Sequence, residues 1–213
     1  MPVKRNIPYS EGIYFITFTC HRWLPLIDLA NGYDIICRWF DHLGKKGHYI
    51  IGYVIMPNHI HVLIAFCNTG KNINKEIGEG KRFMAYEIIK RLNQQSANDI
   101  LAELQQGVNT SDRRRGKLHE VWENSFDWKE CISHKFIIQK LDYIHNNPCS
   151  GKWSLAESPV DYKYSSATFY INNEPGGYPV TNYMKLEDID LAKRVNSNTG
   201  TGESRAVTDN RRF

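Results

Sequence analysis

Apolar and polar positions along this chain follow two rhythms, a period of two and a period near 3.6, separated by short breaks. Residues 14–19, Tyr-Phe-Ile-Thr-Phe-Thr, are aromatic and β-branched and predict a first strand. Residues 33–43 carry Ile35, Ile36, Trp39, Phe40 and Leu43 at helical spacing, and Gly44 marks the predicted end of that helix. A second strand is predicted over 50–56. Pro57-Asn58 then breaks the chain, and 59–66 reads as a third strand hairpinned to the second. After Gly80, residues 82–92 predict a helix with Phe83, Met84, Ile88 and Leu92 available for burial and Lys81, Lys90 and Arg91 left for solvent or phosphate. Residues 93–117 are polar, with one short helix over 99–105 closed by Gly107, and read as a surface insertion. Ser133 is a predicted N-cap for a helix running through Phe136, Ile137, Ile138, Leu141 and Ile144, which Pro148 forbids from continuing.

The order strand, helix, paired strands, helix predicts an α+β fold of the split βαβ kind. The expected form is a ferredoxin-like α/β sandwich with an antiparallel sheet and helices on one face. One core spans 1–180. Residues 181–213 form a C-terminal extension, expected to be mobile from about Asn196, where Asn-Ser-Asn-Thr-Gly-Thr-Gly-Glu-Ser offers too few apolar groups to offset ordering entropy. No internal repeat and no glycine-rich phosphate loop occurs.

Composition narrows the setting. At 213 residues and 41% hydrophobic the chain can fill one core. Five cysteines form no Cys-x-x-Cys pair and the start, Met-Pro-Val-Lys-Arg, has no apolar run, so a reducing cytoplasm is expected. No stretch reaches the ~18–20 apolar residues of a membrane span. The net charge is only +4, yet the cations cluster at Lys45-Lys46, Lys81-Arg82, Lys90-Arg91 and Arg113-Arg114-Arg115 with Lys117. Such clusters are often solvated faces. With 12% aromatic residues beside them they also suit a nucleic acid, whose phosphates track cations and whose unpaired bases stack on rings.

The chemistry concentrates in Met56-Pro57-Asn58-His59-Ile60-His61-Val62-Leu63-Ile64. In a strand His59 and His61 share one face, opposite Ile60, Val62 and Ile64, so two imidazoles can share a cation. By itself the pair fits a hydrogen-bonded structural role more readily than a metal site. Without nearby thiolates or a His-Glu-x-x-His helix, a zinc site is disfavoured; two nitrogens completed by an amide or carboxylate oxygen and by substrate phosphate suit Mg²⁺ or Mn²⁺.

A second group is Leu141-Asp142-Tyr143-Ile144-His145-Asn146-Asn147-Pro148. Tyr143 and Asn147, four apart, stack on one helical face. The residue before proline is pushed out of the α region, which places Asn147 at a frayed end, with its amide oxygen still able to bind a cation. A packed phenol and a capping amide explain the same residues.

Together with Asp161-Tyr162-Lys163-Tyr164-Ser165-Ser166-Ala167 and Trp122-Glu123-Asn124-Ser125-Phe126, these motifs resemble the single-tyrosine, His-hydrophobic-His (HUH) transposases, in particular the REP-associated tyrosine transposase branch, over roughly residues 8–172. The resemblance implies a transposase domain over 1–180 with a ferredoxin-like core, His59, His61 and Asn147 as ligands of Mg²⁺ or Mn²⁺, and Tyr143 as nucleophile. It further implies single-stranded DNA with a hairpin as substrate, cleaved and rejoined through a 5′-phosphotyrosine. Lys81, Arg82, Arg113, Arg114 and Arg115 are candidate phosphate contacts. Trp153, Tyr162 and Tyr164 are expected to pack the following segment on the core, with Ser165-Ser166 capping the next helix.

A domesticated protein that binds hairpin DNA without cutting it, and a relaxase-like nickase, are the competing expectations. The host setting implied is a bacterial cytoplasm, at the nucleoid, with a monomer and a homodimer both open and the tyrosine supplied in cis or in trans.

Overall fold

The computed structural model describes residues 6–123, 126–151 and 154–195. In chain order the elements are β1 (Gly12–Thr19), α1 (Leu26–Leu29), α2 (Tyr33–Lys45), β2 (Tyr49–Ile55), β3 (His59–Phe66), α3 (Ile73–Gln94), α4 (Asn98–Gln106), α5 (Thr110–Arg114), β4 (Asp127–Glu130), α6 (His134–Asn146) and α7 (Ala167–Ile171). The four strands form one antiparallel-paired sheet in the order β2-β3-β1-β4. This is the expected ferredoxin-like α+β arrangement.

Both faces of the sheet are apolar, and each has its own cover. Tyr14, Ile16, Phe18, Ile60, Val62, Ile64 and Phe66 join α2 and α3 in one core, with Trp39, Phe40, Met84 and Ile88. Phe15, Val54, Leu63 and Ala65 point the other way and pack with Ile137, Leu141 and Ile144 of α6. The expectation of helices on one face holds for the crossover helices α2 and α3; α6, added after β4, occupies the opposite face. Its dock is specific. β2 shifts register between Ile50 and Gly52, and a Cβ at Gly52 would overlap the Leu141 side chain, so the bare glycine backbone admits the helix.

Three element boundaries differ from those predicted. Gly44 does not end α2, which runs to Lys45. Gly80 lies inside α3, which starts at Ile73 behind an Asn72 cap whose side chain accepts from Lys75 N; Gly80 is there because a Cβ would overlap the Trp39 indole. The insertion holds two helices rather than one, and it has a buried anchor: Leu104 is fully covered and its carbonyl accepts from Glu120 N at 2.9 Å.

The segment after α6 closes the edge of β2. Ile55 N donates to Tyr164 O and Ser166 N to Tyr53 O, which satisfies backbone groups that an open edge would expose. Tyr162 OH donates to Ile55 O and Tyr164 stacks on Tyr33, as expected for residues packed back on the core. Ser166 does not cap α7 through its side chain; its hydroxyl accepts from Tyr53 N and meets His145 Nε2 at 2.9 Å, while Ser165 Oγ accepts from Ala167 N. Trp153, Asn124, Ser125 and the tail from Asn196 lie outside the described residues. No helix among the described residues is long and apolar enough to cross a membrane.

Candidate active site

β1 and β3 pair so that Thr17 faces His61 and Thr19 faces His59. The histidines are therefore central in the sheet, on the α6 side, and nearly covered at 6% and 5% exposure. Burial lowers the basicity of both. His59 falls below the usual histidine value, and His61 falls to about 3, helped by repulsion from His59 and Lys140. Both rings are neutral at pH 7, the form that binds cations.

Their tautomers follow from the neighbours. Asn58 is fully buried and its Nδ2 donates to Trp23 O at 3.1 Å, which turns its Oδ1 toward His59. His59 Nδ1 lies 2.7 Å from that oxygen and must carry the proton. His59 Nε2 is then a lone pair, and it faces Asn147 Oδ1 at 3.1 Å. As placed, two acceptors confront each other with no hydrogen between them. A cation ligated by both reconciles the pair, and so would an Asn147 amide turned end for end to donate its Nδ2–H. At His61, Nδ1 lies 2.7 Å from Thr17 Oγ1; with that hydroxyl accepting, the Nε2 lone pair stays free.

α6 brings the phenol to the same place. Ser133 Oγ accepts from Phe136 N and starts the helix; ten residues later Tyr143 lies edge-on to His61 with ring centroids 5.0 Å apart, and edge-on to Phe15 at 5.8 Å. Tyr143 is 50% exposed although it touches buried rings. One turn before it, Lys140 holds its ammonium 4.9 Å from the Phe15 ring centre and 5.7 Å from that of Tyr143.

Asn147 departs from expectation. It is the C-cap of α6 with helical dihedrals, φ −57° and ψ −43°, and it opens a 3₁₀ turn through Pro148 to Cys149. The preference against helix before proline is overridden, and the chain stays wound one turn beyond Tyr143. That carries the Asn147 amide to His59.

The structure thus brings together His59, His61, Tyr143 and Asn147. Among the described residues no three His, Cys, Asp or Glu side chains converge as a metal site; the side chains that could hold a cation here are the two imidazoles and the Asn147 amide. The five candidate phosphate contacts are not part of this cluster. Lys81 donates to Glu123 O at 3.0 Å and lies over Phe18, on the sheet face opposite the histidines. Arg113 donates to Gln105 O, Arg115 lies 3.8 Å from Asp112, and Arg82 and Arg114 are exposed. Sequence reasoning missed Thr17, Asn58, Trp23 and Lys140. Period-two alternation places Thr17 on the Phe15 side of β1, but only strand register sets it opposite His61.

No family model matches the chain. An uncharacterized protein of Haemophilus influenzae is 25% identical over 154 residues, covering 65% of this chain and 81% of its own. Among solved structures, a REP-associated tyrosine transposase bound to a REP hairpin has a TM-score of 0.55 at 15% identity, over 92% of this chain and 100% of that one. The two share a fold. A candidate transposase of Deinococcus radiodurans R1 has a TM-score of 0.36 at 19% identity, over 68% of this chain and 97% of that one.

Proposed function

We propose that this protein is a DNA transposase that cuts and rejoins single-stranded DNA beside a hairpin, with Tyr143 as nucleophile and His59, His61 and Asn147 holding Mg²⁺ or Mn²⁺. One observation carries the reading: a half-exposed phenol sits 5.0 Å, ring to ring, from a buried imidazole whose neighbour His59 holds its Nε2 3.1 Å from the Asn147 amide. The fold shared with a transposase bound to a REP hairpin supports the substrate class.

A neutral phenol attacks poorly, so its proton must leave as the bond forms. Lys140, one turn away, holds its ammonium 5.7 Å from the Tyr143 ring centre, within reach of a phosphate brought to the phenol. A bound divalent cation would polarise the scissile phosphate and offset charge on its oxygens. The Tyr143 oxygen attacks phosphorus and the bond from phosphorus to the 3′ oxygen breaks. The leaving oxygen takes a proton to become a 3′ hydroxyl, and the 5′ phosphate stays on the tyrosine. Because that linkage keeps the phosphodiester's energy, a 3′ hydroxyl can attack it, release the phenol and restore a phosphodiester.

Incubating the protein with labelled stem-loop single-stranded DNA and Mn²⁺ is expected to give an adduct stable in denaturing gels. It should be absent from Tyr143→Phe and from metal-free reactions. An undiminished adduct with Tyr143→Phe would overturn the assignment, and hairpin binding with no adduct under either metal would favour a non-cleaving DNA-binding protein.

A further inference from the structure

Arg22 and Trp23 both have left-handed backbone, with φ of 51° and 61°. Two consecutive non-glycine residues in that region are strained, and such strain persists only where the surroundings over-determine it. They do so here. His21 N donates to Val121 O, Arg22 N to Glu123 Oε1 at 2.8 Å, Trp23 N to Cys20 O and Leu24 N to His21 O, while Trp23 O accepts from Asn58 Nδ2. Trp23 takes part in two of these bonds, and both use its backbone N and O. Its indole is left 56% exposed, edge-on to His59 with ring centroids 5.8 Å apart.

A large ring held half in water by a strained turn, at the rim of the candidate site, is not explained by packing. Four rings run in order: Trp23 to His59 at 5.8 Å, His59 to His61 at 4.7 Å, and His61 to Tyr143 at 5.0 Å. The two half-exposed rings flank the two buried ones. We propose that Trp23 is a stacking platform for an unpaired nucleobase next to the scissile phosphate, so that the base fixes where along the strand Tyr143 attacks. This inference rests on the reading of the site as one that acts on single-stranded DNA. Arg22 stands beside the platform with its side chain 62% exposed and 3.6 Å from Glu103, where it can meet the adjoining phosphate.

Stacking is sequence-tolerant, so a generic probe suffices. Fluorescence anisotropy would use a labelled G·C stem-loop flanked on both sides by oligothymidine, with Mn²⁺, in a Tyr143→Phe background that prevents cleavage. Trp23→Ala and Trp23→Gly are expected to weaken binding on the order of ten-fold, and Trp23→Phe to restore most of it. In the Trp23-containing protein, one abasic replacement beside the stem should reproduce the loss; in Trp23→Ala the same replacement should cost nothing more. Trp23→Gly relieves the backbone strain and should melt no lower than its parent, which separates lost stacking from lost folding. Unchanged binding by Trp23→Ala, or an equal further loss at every abasic position, overturns the platform while leaving the proposed function standing. If the Trp23-containing protein binds none of these oligonucleotides, the reading of the site falls and the platform with it.

Discussion

At the residue scale the site depends on side chains that hold other side chains. Asn58 fixes the His59 tautomer through two bonds, one to Trp23 O and one to His59 Nδ1. Replacing it frees the imidazole to turn, and such supporting residues typically carry 10- to 100-fold in metal affinity. Asn58→Ala is therefore expected to weaken Mn²⁺ binding, read by electron paramagnetic resonance, by about ten-fold or more; an unchanged affinity would remove both the proposed tautomer and its role. His145 is buried and hydrogen-bonded to Ser166, and burial lowers it to about 4. An unfolded histidine binds its proton near pH 6.5. Between those values the unfolded chain binds more protons than the folded one, so stability is fully present above about 6.5 and is lost as pH falls toward 4. His145→Gln should flatten that acid limb by close to one proton, measured by urea denaturation across the window, relative to the unsubstituted protein.

Among the elements, α3 shows how a glycine can be read wrongly and why. Gly78 and Gly80 are two residues apart in one helix, and glycine inside a helix costs about 0.5–1 kcal/mol relative to alanine. A Cβ at Gly78 meets nothing within 4 Å, so Gly78→Ala should stabilise by about that amount. At Gly80 a Cβ enters the buried Trp39 indole, and Gly80→Ala should destabilise by about 1–3 kcal/mol despite the same gain in propensity. Urea unfolding of the two variants gives opposite shifts if α3 lies against Trp39 as described. Local pattern could not distinguish these glycines, because the difference lies in a partner on α2. The same limit explains the other departures. β1 and α6 were legible from residue type and periodic apolar positions, and β2 and β3 as short, nearly continuous apolar runs on either side of the Pro57-Asn58 break. β4 was not, since Asp127–Glu130 is a short, polar edge strand placed only by pairing with β1. His59, His61 and Tyr143 were legible as residue types at motif spacing, whereas Trp23 and Lys140 gain meaning only when β1, the loop after it and α6 are brought to one place.

For the whole molecule, the question is whether one chain completes the site. The histidines come from the middle of the sheet and the tyrosine from a helix added on the far face, so the site exists only where α6 is docked. Within one chain that dock is extensive: Ile137, Leu141 and Ile144 are buried against Phe15, Val54 and Leu63, Leu141 fills the space above Gly52, and His145 bonds to Ser166. Moving α6 to a partner chain would expose this second core until an identical helix replaced it, and the chain from β4 to α6 would have to span the gap. β4 pairs with β1 and Cys131 N donates to Ile13 O, so only Ile132 and Ser133 separate the anchored strand from the helix. So short a tether favours completion of the candidate site within one chain. The test is complementation: His61→Ala lacks a proposed ligand but keeps the tyrosine, and Tyr143→Phe keeps the proposed ligands but lacks the proposed nucleophile. Mixed in equal amounts with stem-loop DNA and Mn²⁺, the two variants are expected to form no more covalent adduct than either alone. Adduct restored to a sizeable fraction of that of the unsubstituted protein would mean that α6 reaches another chain's histidines, and the dock described here would then be one of two arrangements of the same helix.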